Sequence, residues 1–196
     1  MAPKQRRALT MSGPSDTDLI KRIASQDQTA VEVLYGRYQV RVVRFILRVV
    51  KSEAVAEELT NEVFMEVWRN ASRFEGRSSL SSWILGIAHN RSISSLRKRR
   101  ESEMDDDAAG AIPDDADNPE VVAQKTDKGA LLRACMERLS DEHKTIIDLV
   151  YYHEMSIAEV SETVGIPQNT VKTRMFYARK KLSEFLMEAG ADRGWP

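Results

Sequence analysis

Ser156–Leu182 reads SIAEVSETVGIPQNTVKTRMFYARKKL, and its pattern specifies two short helices joined by a tight turn. Ser156 followed three residues later by Glu159 forms a capping box: the serine oxygen accepts from the backbone N–H of Glu159, and the glutamate reaches back to the cap. Ile157, Val160 and Val164 recur at helical spacing, and Gly165 supplies the left-handed conformation that ends a helix without a Cβ clash. Pro167 presets the first turn of the next helix, where its missing N–H costs nothing. In that helix Val171, Met175, Ala178 and Leu182 share one face at steps of four, three and four residues, and bury it against the first helix. This is a helix-turn-helix.

The opposite face of the second helix carries Lys172, Phe176 and Arg179 in one row and Thr173, Tyr177 and Lys180 in the next. Arg174 and Lys181 lie beside them, and no acidic residue occurs from Gln168 to Leu182. Five cations on about four turns suit a recognition helix, which needs phosphate neutralisation for affinity and side chains long enough to reach base edges in the major groove.

Upstream, Pro119 opens a helical pattern continued by Leu131, Leu132, Cys135, Met136 and Leu139. Ser140 with Asp141 and Glu142 caps a further helix through Ile146, Ile147, Val150 and Tyr151. Before these, residues 101–118 change character. EMDDDAAGAIPDDADN, within them, has no period and few bulky apolar residues, so it reads as a flexible acidic linker and a domain boundary.

From Asp16 to Arg100 the pattern is helical throughout, with no alternation of period two and no hairpin turn. Leu19 and Ile23 open it behind Asp16 or Thr17 as cap, and a long helix runs from about Val31 to Val50 with Arg37, Arg41, Arg44 and Arg48 in one stripe. A third helix, from about Ser52 to Asn70, turns Ala56, Leu59, Val63 and Val67 inward and stacks Glu58, Glu62 and Glu66 on another face. The turn-rich interval Ala71–Ser82 contains Phe74, Gly76 and serines. A helix from Trp83 follows, ending in Arg97, Lys98, Arg99 and Arg100. An aromatic loop leading into a basic helix suits single-stranded nucleic acid, since ring faces stack bases while cations follow the backbone.

The 196-residue chain is close to neutral, at −1, but its charge is segregated. Residues 1–100 hold 18 Lys and Arg against 10 Asp and Glu, residues 101–128 hold 2 against 10, and the remainder 9 against 10. The distribution, and not the total, is what nucleic acid would meet. The most apolar segment, Val40–Val50, is broken by three arginines, far from the roughly 20 apolar residues of a membrane span. Residues 1–15 form a basic, apolar-poor tail expected to be disordered, and not a secretory signal. With the single cysteine, Cys135, flanked by apolar residues, a reducing, cytoplasmic setting is expected. The three histidines have no acidic or cysteine partners at ligand spacing, and no glycine loop cradles phosphate. No catalysis, cofactor, metal site or small-molecule substrate is expected. The fold expected is all-α: two small helical domains, residues 16–100 and 119–187, joined by the acidic linker, with a C-terminal tail at 188–196.

The words AEELTNEVFMEVW, RFEGRSSLSSWILGIAHNRSISSLRKRR and SIAEVSETVGIPQNTVKTRMFYARKKL, in that order, closely resemble the extracytoplasmic-function sigma factors of bacteria, over almost all of residues 16–187. The resemblance implies an alternative sigma factor for a stress or envelope response. Its partners would be core RNA polymerase, through the β′ clamp helices and β flap, promoter DNA both duplex and melted, and an anti-sigma factor. It implies that Glu57, Glu58, Asn61 and Glu62 dock on the clamp helices, with Glu58 and Asn61 standing where relatives have Asp and Gln. Phe74, Trp83 and Asn90 would hold an extruded base of the minus-ten element, with Ser78, Ser79 and Ser81 in the variable loop that sets base preference. Thr170, Lys172, Thr173, Arg174, Phe176, Tyr177 and Arg179 would meet the minus-thirty-five element, Tyr177 standing where relatives often carry a basic residue. In this family the linker threads near the polymerase active centre, so its polyanion either stands in for nucleic acid or is an inert tether. From the residues alone, a free-standing helix-turn-helix regulator that does not touch polymerase remains the other reading.

Overall fold

A computed structural model describes residues 13–105 and 126–190 of the chain. Every element among them is helical: α1 (Asp16–Ala24), α2 (Gln28–Val50), α3 (Glu53–Asn70), α4 (Leu80–Asp105), α5 (Thr126–Glu137), α6 (Asp141–Ile147), α7 (Ile157–Val164) and α8 (Gln168–Glu188). A 3₁₀ turn, Ala71–Arg73, follows α3, and a π-helical turn, Asp148–Tyr152, follows α6. The start of a helix at Pro119 and most of the acidic linker lie outside the described residues.

In the N-terminal half α2, α3 and α4 pack on one another and α1 closes the bundle against α2. Helix α2 starts at Asp27, whose carboxylate accepts from Ala30 N at 3.3 Å. Leu34, Tyr38, Val42, Phe45, Ile46 and Val50 then form its buried stripe. Against it α3 buries Ala56, Leu59, Val63 and Val67, the inward row read from the sequence, together with Thr60 and Phe64. Each fully buried Leu, Ile, Val or Phe contributes about 1.5–3 kcal/mol relative to exposure. Thr60 is tolerated in that row because its hydroxyl donates to Ala56 O at 2.7 Å.

Several helix boundaries differ from the sequence expectation, and α4 differs most: it begins at Leu80, inside the expected turn-rich interval, and runs to Asp105, five residues into the expected linker. The cap of α1 is Ser15, whose oxygen accepts from Asp18 N at 3.1 Å, because Asp16 instead binds Arg37 and Tyr38 of α2. Pro167 is itself the cap of α8, at φ −57° and ψ 145°, so that helix begins one residue later. Ser140 precedes α6 but makes no side-chain cap, and past Ile147 the chain widens into the π turn.

In the C-terminal half α5, α6 and α7 all pack on α8, and Cys135 is buried as a small apolar side chain. The two halves are not separate. Helix α7 lies on α4, and Ile146, Leu149, Met155, Val160 and Val171 belong to the same core cluster as the buried residues of α1–α4. Within the arginine stripe of α2, Arg37 binds Asp16 and Arg41 reaches Ser81 at the start of α4, both inside the N-terminal half, and Arg48 crosses to the C-terminal half to pair with the buried Asp148.

Candidate nucleic-acid interface

The helix-turn-helix forms as its local chemistry requires. Both halves of the capping box are made: Ser156 Oγ accepts from Glu159 N at 3.2 Å, and Glu159 Oε2 accepts from Ser156 N at 3.0 Å. Gly165 ends α7 at φ 71° with its N–H donating to Ser161 O, and Ser161 Oγ ties the turn by donating to Ile166 O at 2.6 Å.

Val171 and Ala178 turn inward from α8, Met175 is half-buried, and Lys172, Thr173, Phe176, Tyr177, Arg179 and Lys180 are exposed. Phe176 and Tyr177, at 64 % and 52 % exposure, present two large rings to solvent, in an edge-to-face pair 5.4 Å apart. That arrangement is costly unless something covers it. Among the described residues Lys172 and Arg179 have no carboxylate partner, so their charge is available to an anion. Arg174 differs: it is half-buried and pairs with Glu142 of α6 at 3.1 Å. Thr170 is half-buried, and Thr173 Oγ1 donates to Asn169 O at 2.9 Å.

At the other site the Phe74 and Trp83 rings sit side by side, 5.2 Å between centroids and tilted by 50°. Both are half-buried against the core, which fixes their faces. Between them Gly76 turns the chain at φ 71°, and Ser79 caps α4 by accepting from Ser82 N at 3.0 Å. Ser81 is held by Arg41 at 2.9 Å, and Ser78 is half-buried. Asn90 is exposed on the same side of α4 as Trp83, seven residues on, which is about 10 Å along the axis. The two rings are therefore together, and Asn90 stands two turns away. Its neighbour His89 is held below the ordinary imidazole range by burial, which an Asn90 hydrogen bond partly offsets.

On α3, Glu57, Glu58 and Asn61 are exposed and make no ion pair among the described residues. Glu62 does: Arg91 of α4 lies 3.4 Å from it and 2.5 Å from Glu66.

Sequence reasoning missed a set of residues between the halves. Glu159, already committed to its own helix cap, also accepts from Ser82 Oγ at 2.7 Å and Ser79 N at 3.3 Å through Oε1. Burial alone would raise its carboxyl. Hydrogen bonds from Ser82, Ser156 and Ser79 outweigh that and bring it down to about 2. Nearby, Arg48 binds Asp148 and lies over the Tyr152 ring at 4.4 Å. His153 Nε2 stands 3.2 Å from Asp148 Oδ2, and its ring meets Phe45 edge-on at 5.6 Å. The capping motif was legible; its second set of partners, about 80 residues away, was not.

Among the described residues no helix is long and apolar enough to cross a membrane, and no group of three or more His, Cys, Asp or Glu is placed to hold a metal.

Comparison with known proteins agrees with this geometry. Residues 34–102 match the Sigma-70 region 2 family and residues 135–184 the Sigma-70 region 4 family. The chain is 32% identical over 184 residues to the ECF RNA polymerase sigma factor SigK of Mycobacterium tuberculosis (strain ATCC 25618 / H37Rv), covering 90% of this chain and 98% of that one. It is 30% identical over 172 residues to SigK of Mycobacterium ulcerans (strain Agy99), covering 86% and 91%. Among solved structures, the sigma factor RpoE in complex with the anti-sigma factor NepR from Bartonella quintana superposes with a TM-score of 0.68 at 23% identity, over 80% of this chain and 96% of that one. CnrH, in complex with the cytosolic domain of CnrY, gives 0.62 at 20% identity, over 87% and 96%. These two share the fold. With a region 2 bundle, a region 4 helix-turn-helix and near-complete coverage of curated relatives, the chain belongs to the family of ECF RNA polymerase sigma factors.

Proposed function

We propose that this sigma factor acts by binding alone, in the cytoplasm, and divides promoter recognition among three surfaces. Glu57, Glu58, Asn61 and Glu62 of α3 dock on the β′ clamp helices of core polymerase. Phe74 and Trp83 stack a base extruded from the melted minus-ten strand, Asn90 meets that strand further along α4, and Ser78, Ser79 and Ser81 set the base preference. On α8, Lys172, Thr173, Phe176, Tyr177 and Arg179 read the minus-thirty-five duplex, with Thr170 and Arg174 flanking them. A duplex hides its bases in the stack, so reading one requires an exposed aromatic platform and groups that hydrogen-bond its edge. The observation that carries this reading is the pairing of Phe74 with Trp83 at 5.2 Å beside a cationic recognition helix in the same chain. A free-standing duplex-binding regulator has no use for that ring pair.

An anti-sigma partner is part of the proposal, since RpoE of Bartonella quintana is held by one. Mixing the purified chain with bacterial core polymerase and a library of promoter templates tests the whole reading. Promoter-specific transcripts are expected; their absence, with DNA binding by the chain alone, would return it to the free-standing regulator.

A further inference from the structure

The polar side chains of the minus-ten loop are not equivalent, because most of them are already committed. The loop, residues 75–82, is closed at its ends by the Phe74–Trp83 ring contact at 5.2 Å. Within it Arg77 pairs with Glu75 at 3.2 Å, and both side chains are largely exposed. Ser79 Oγ accepts from Ser82 N at 3.0 Å and lies 2.8 Å from Ser82 Oγ, so these two hydroxyls serve each other and the start of α4. Leu80 is buried. Ser81 Oγ accepts from Arg41 Nη1 of α2 at 2.9 Å. Ser78, half-buried near the middle of the loop, is the one polar side chain there without a partner among the described residues.

Arg41 is placed to control that loop from outside it. The side chain is half-buried next to the inward-facing Tyr38 and Val42. It has no carboxylate partner among the described residues, so no fixed anion draws the guanidinium away from Ser81. Ser81 lies two residues before Trp83, roughly 200° around the α4 axis, so the two side chains do not share a face. Ile84, Leu85 and Ala88 are buried and keep the body of α4 docked without this contact. Its first turn is more exposed to loss, because the leading N–H groups of a helix have no intrahelical partner and helix ends fray. The Arg41 bond pins that turn, and Ser78 is joined to it directly through Ser79 and Leu80. Arg41 and Ser81 both belong to the N-terminal half, so the contact does not depend on where the C-terminal half sits.

We infer that minus-ten base preference is divided between a reader and a positioner: Ser78 supplies the hydroxyl that selects the extruded base, and Arg41 is a positioning residue that fixes Ser78 by holding Ser81. A hydroxyl both donates and accepts, so its chemistry alone selects little. Each base presents its own pattern of donors and acceptors, and a hydroxyl held in one place meets only one such pattern well. A loop free to shift brings the same oxygen to whichever edge is offered, and discriminates poorly. Ser79 and Ser81 then act on preference through the shape of the loop, and Ser78 through contact. The inference rests on the sigma reading, which gives the loop its ligand.

The test uses holoenzyme assembled from the full chain and bacterial core polymerase, on promoter templates that the parent selects from a randomised pool. The minus-ten region of each template is already unpaired, each base is placed in turn at each unpaired position, and relative affinity is read by competition. The parent is compared with Ser78→Ala, Ser81→Ala, Arg41→Ala, Arg41→Lys, and Arg41→Ala combined with Ser81→Ala, each checked for helical circular dichroism. At one position the parent's preference, about three- to ten-fold for one hydrogen bond, should disappear in Ser78→Ala. Arg41→Ala and Ser81→Ala should each flatten the same preference to about two-fold or less, and the double variant no further than either single one. Lysine, which also only donates, should restore it. Ser81→Ala opens the contact without altering α2, so the outcome does not hang on the folding of Arg41→Ala. Preferences wholly unchanged in Ser78→Ala would overturn the reader. Loss in Ser81→Ala with retention in Arg41→Ala would make Ser81 itself the reader, and equal weakening at every base in Arg41→Ala would make Arg41 a phosphate contact. Either result overturns the positioning role. Absence of promoter-directed transcription with the parent would remove the sigma reading, and this inference with it.

Discussion

Lys172 and Arg179 differ from Arg174 although all three are cations on one helix. Arg174 is spent on Glu142, whereas the other two face solvent with no carboxylate partner among the described residues. Replacing Lys172 or Arg179 by Ala should therefore weaken minus-thirty-five binding directly. A base contact should cost about 1–3 kcal/mol and relax preference at one position, while a phosphate contact should weaken all sequences alike. Binding isotherms across a set of minus-thirty-five variants decide between the two, and wild-type isotherms from both mutants would contradict the assignment. Asn90 is the corresponding candidate at the proposed minus-ten site, with both a donor and an acceptor for a base edge. Holoenzyme carrying Asn90→Ala should still bind duplex promoter through α8, but open it poorly. On a template already unpaired at minus ten it should lose discrimination at one base, and permanganate footprinting together with competition between templates would reveal this. Unaltered opening and unaltered preference would remove Asn90 from the site.

At the scale of elements, α3 presents one clean acidic edge and one compromised one. Glu58 is exposed with no ion-pair partner among the described residues, but Glu62 shares Arg91 with Glu66. Glu58→Lys should reduce retention of core polymerase in a pull-down without changing the helical circular dichroism, since nothing inside the bundle depends on it. Glu62→Lys should add a small stability loss by facing Arg91 with a like charge, within the 0–1 kcal/mol typical of exposed pairs. Equal retention of core by wild type and Glu58→Lys would make this edge an ordinary solvated face. Helix α4 carries a different lesson. Gly86 sits in its interior without a positive φ and with ordinary van der Waals space for a methyl group beside Thr163. Gly86→Ala should accordingly stabilise the chain by about 0.5–1 kcal/mol through backbone entropy. That corresponds to a rise of about 2–4 °C or less in Tm at this size, read by thermal denaturation. A fall in Tm would mean that α7 needs the closer approach.

Over the whole molecule, the seam between the halves is held by one pair in which the carboxylate is nearly inaccessible. Asp148 is 5% exposed and faces Arg48 and His153. Arg48→Ala would leave that carboxylate buried with only the imidazole beside it, a loss of about 1–3 kcal/mol. Urea denaturation should register this loss, and Asp148→Ala in the same background should recover part of it. If the single and double variants matched wild type in stability, the pair would contribute nothing to joining the halves.

How much of this was legible in the sequence follows from the range of each interaction. The capping box at Ser156, the left-handed Gly165 and the inward rows of α2, α3 and α8 depend on neighbours three or four residues away, and the sequence by itself determined them, together with the all-helical class and the one-signed face of α8. Helix boundaries were misjudged by one to five residues, as in the cap of α1, displaced to Ser15 by the engagement of Asp16 with Arg37 and Tyr38, and in α4, which starts at Leu80 and ends at Asp105. Only the tertiary structure decided which charges are spent and which are free. Arg41, Arg48, Glu62, Arg174 and Glu159 look like any other solvated charges along the chain, and their partners lie between about 30 and 100 residues away. The packing of α7 on α4 belongs to the same class, because each helix has an apolar face and periodicity alone does not specify which other face will cover it.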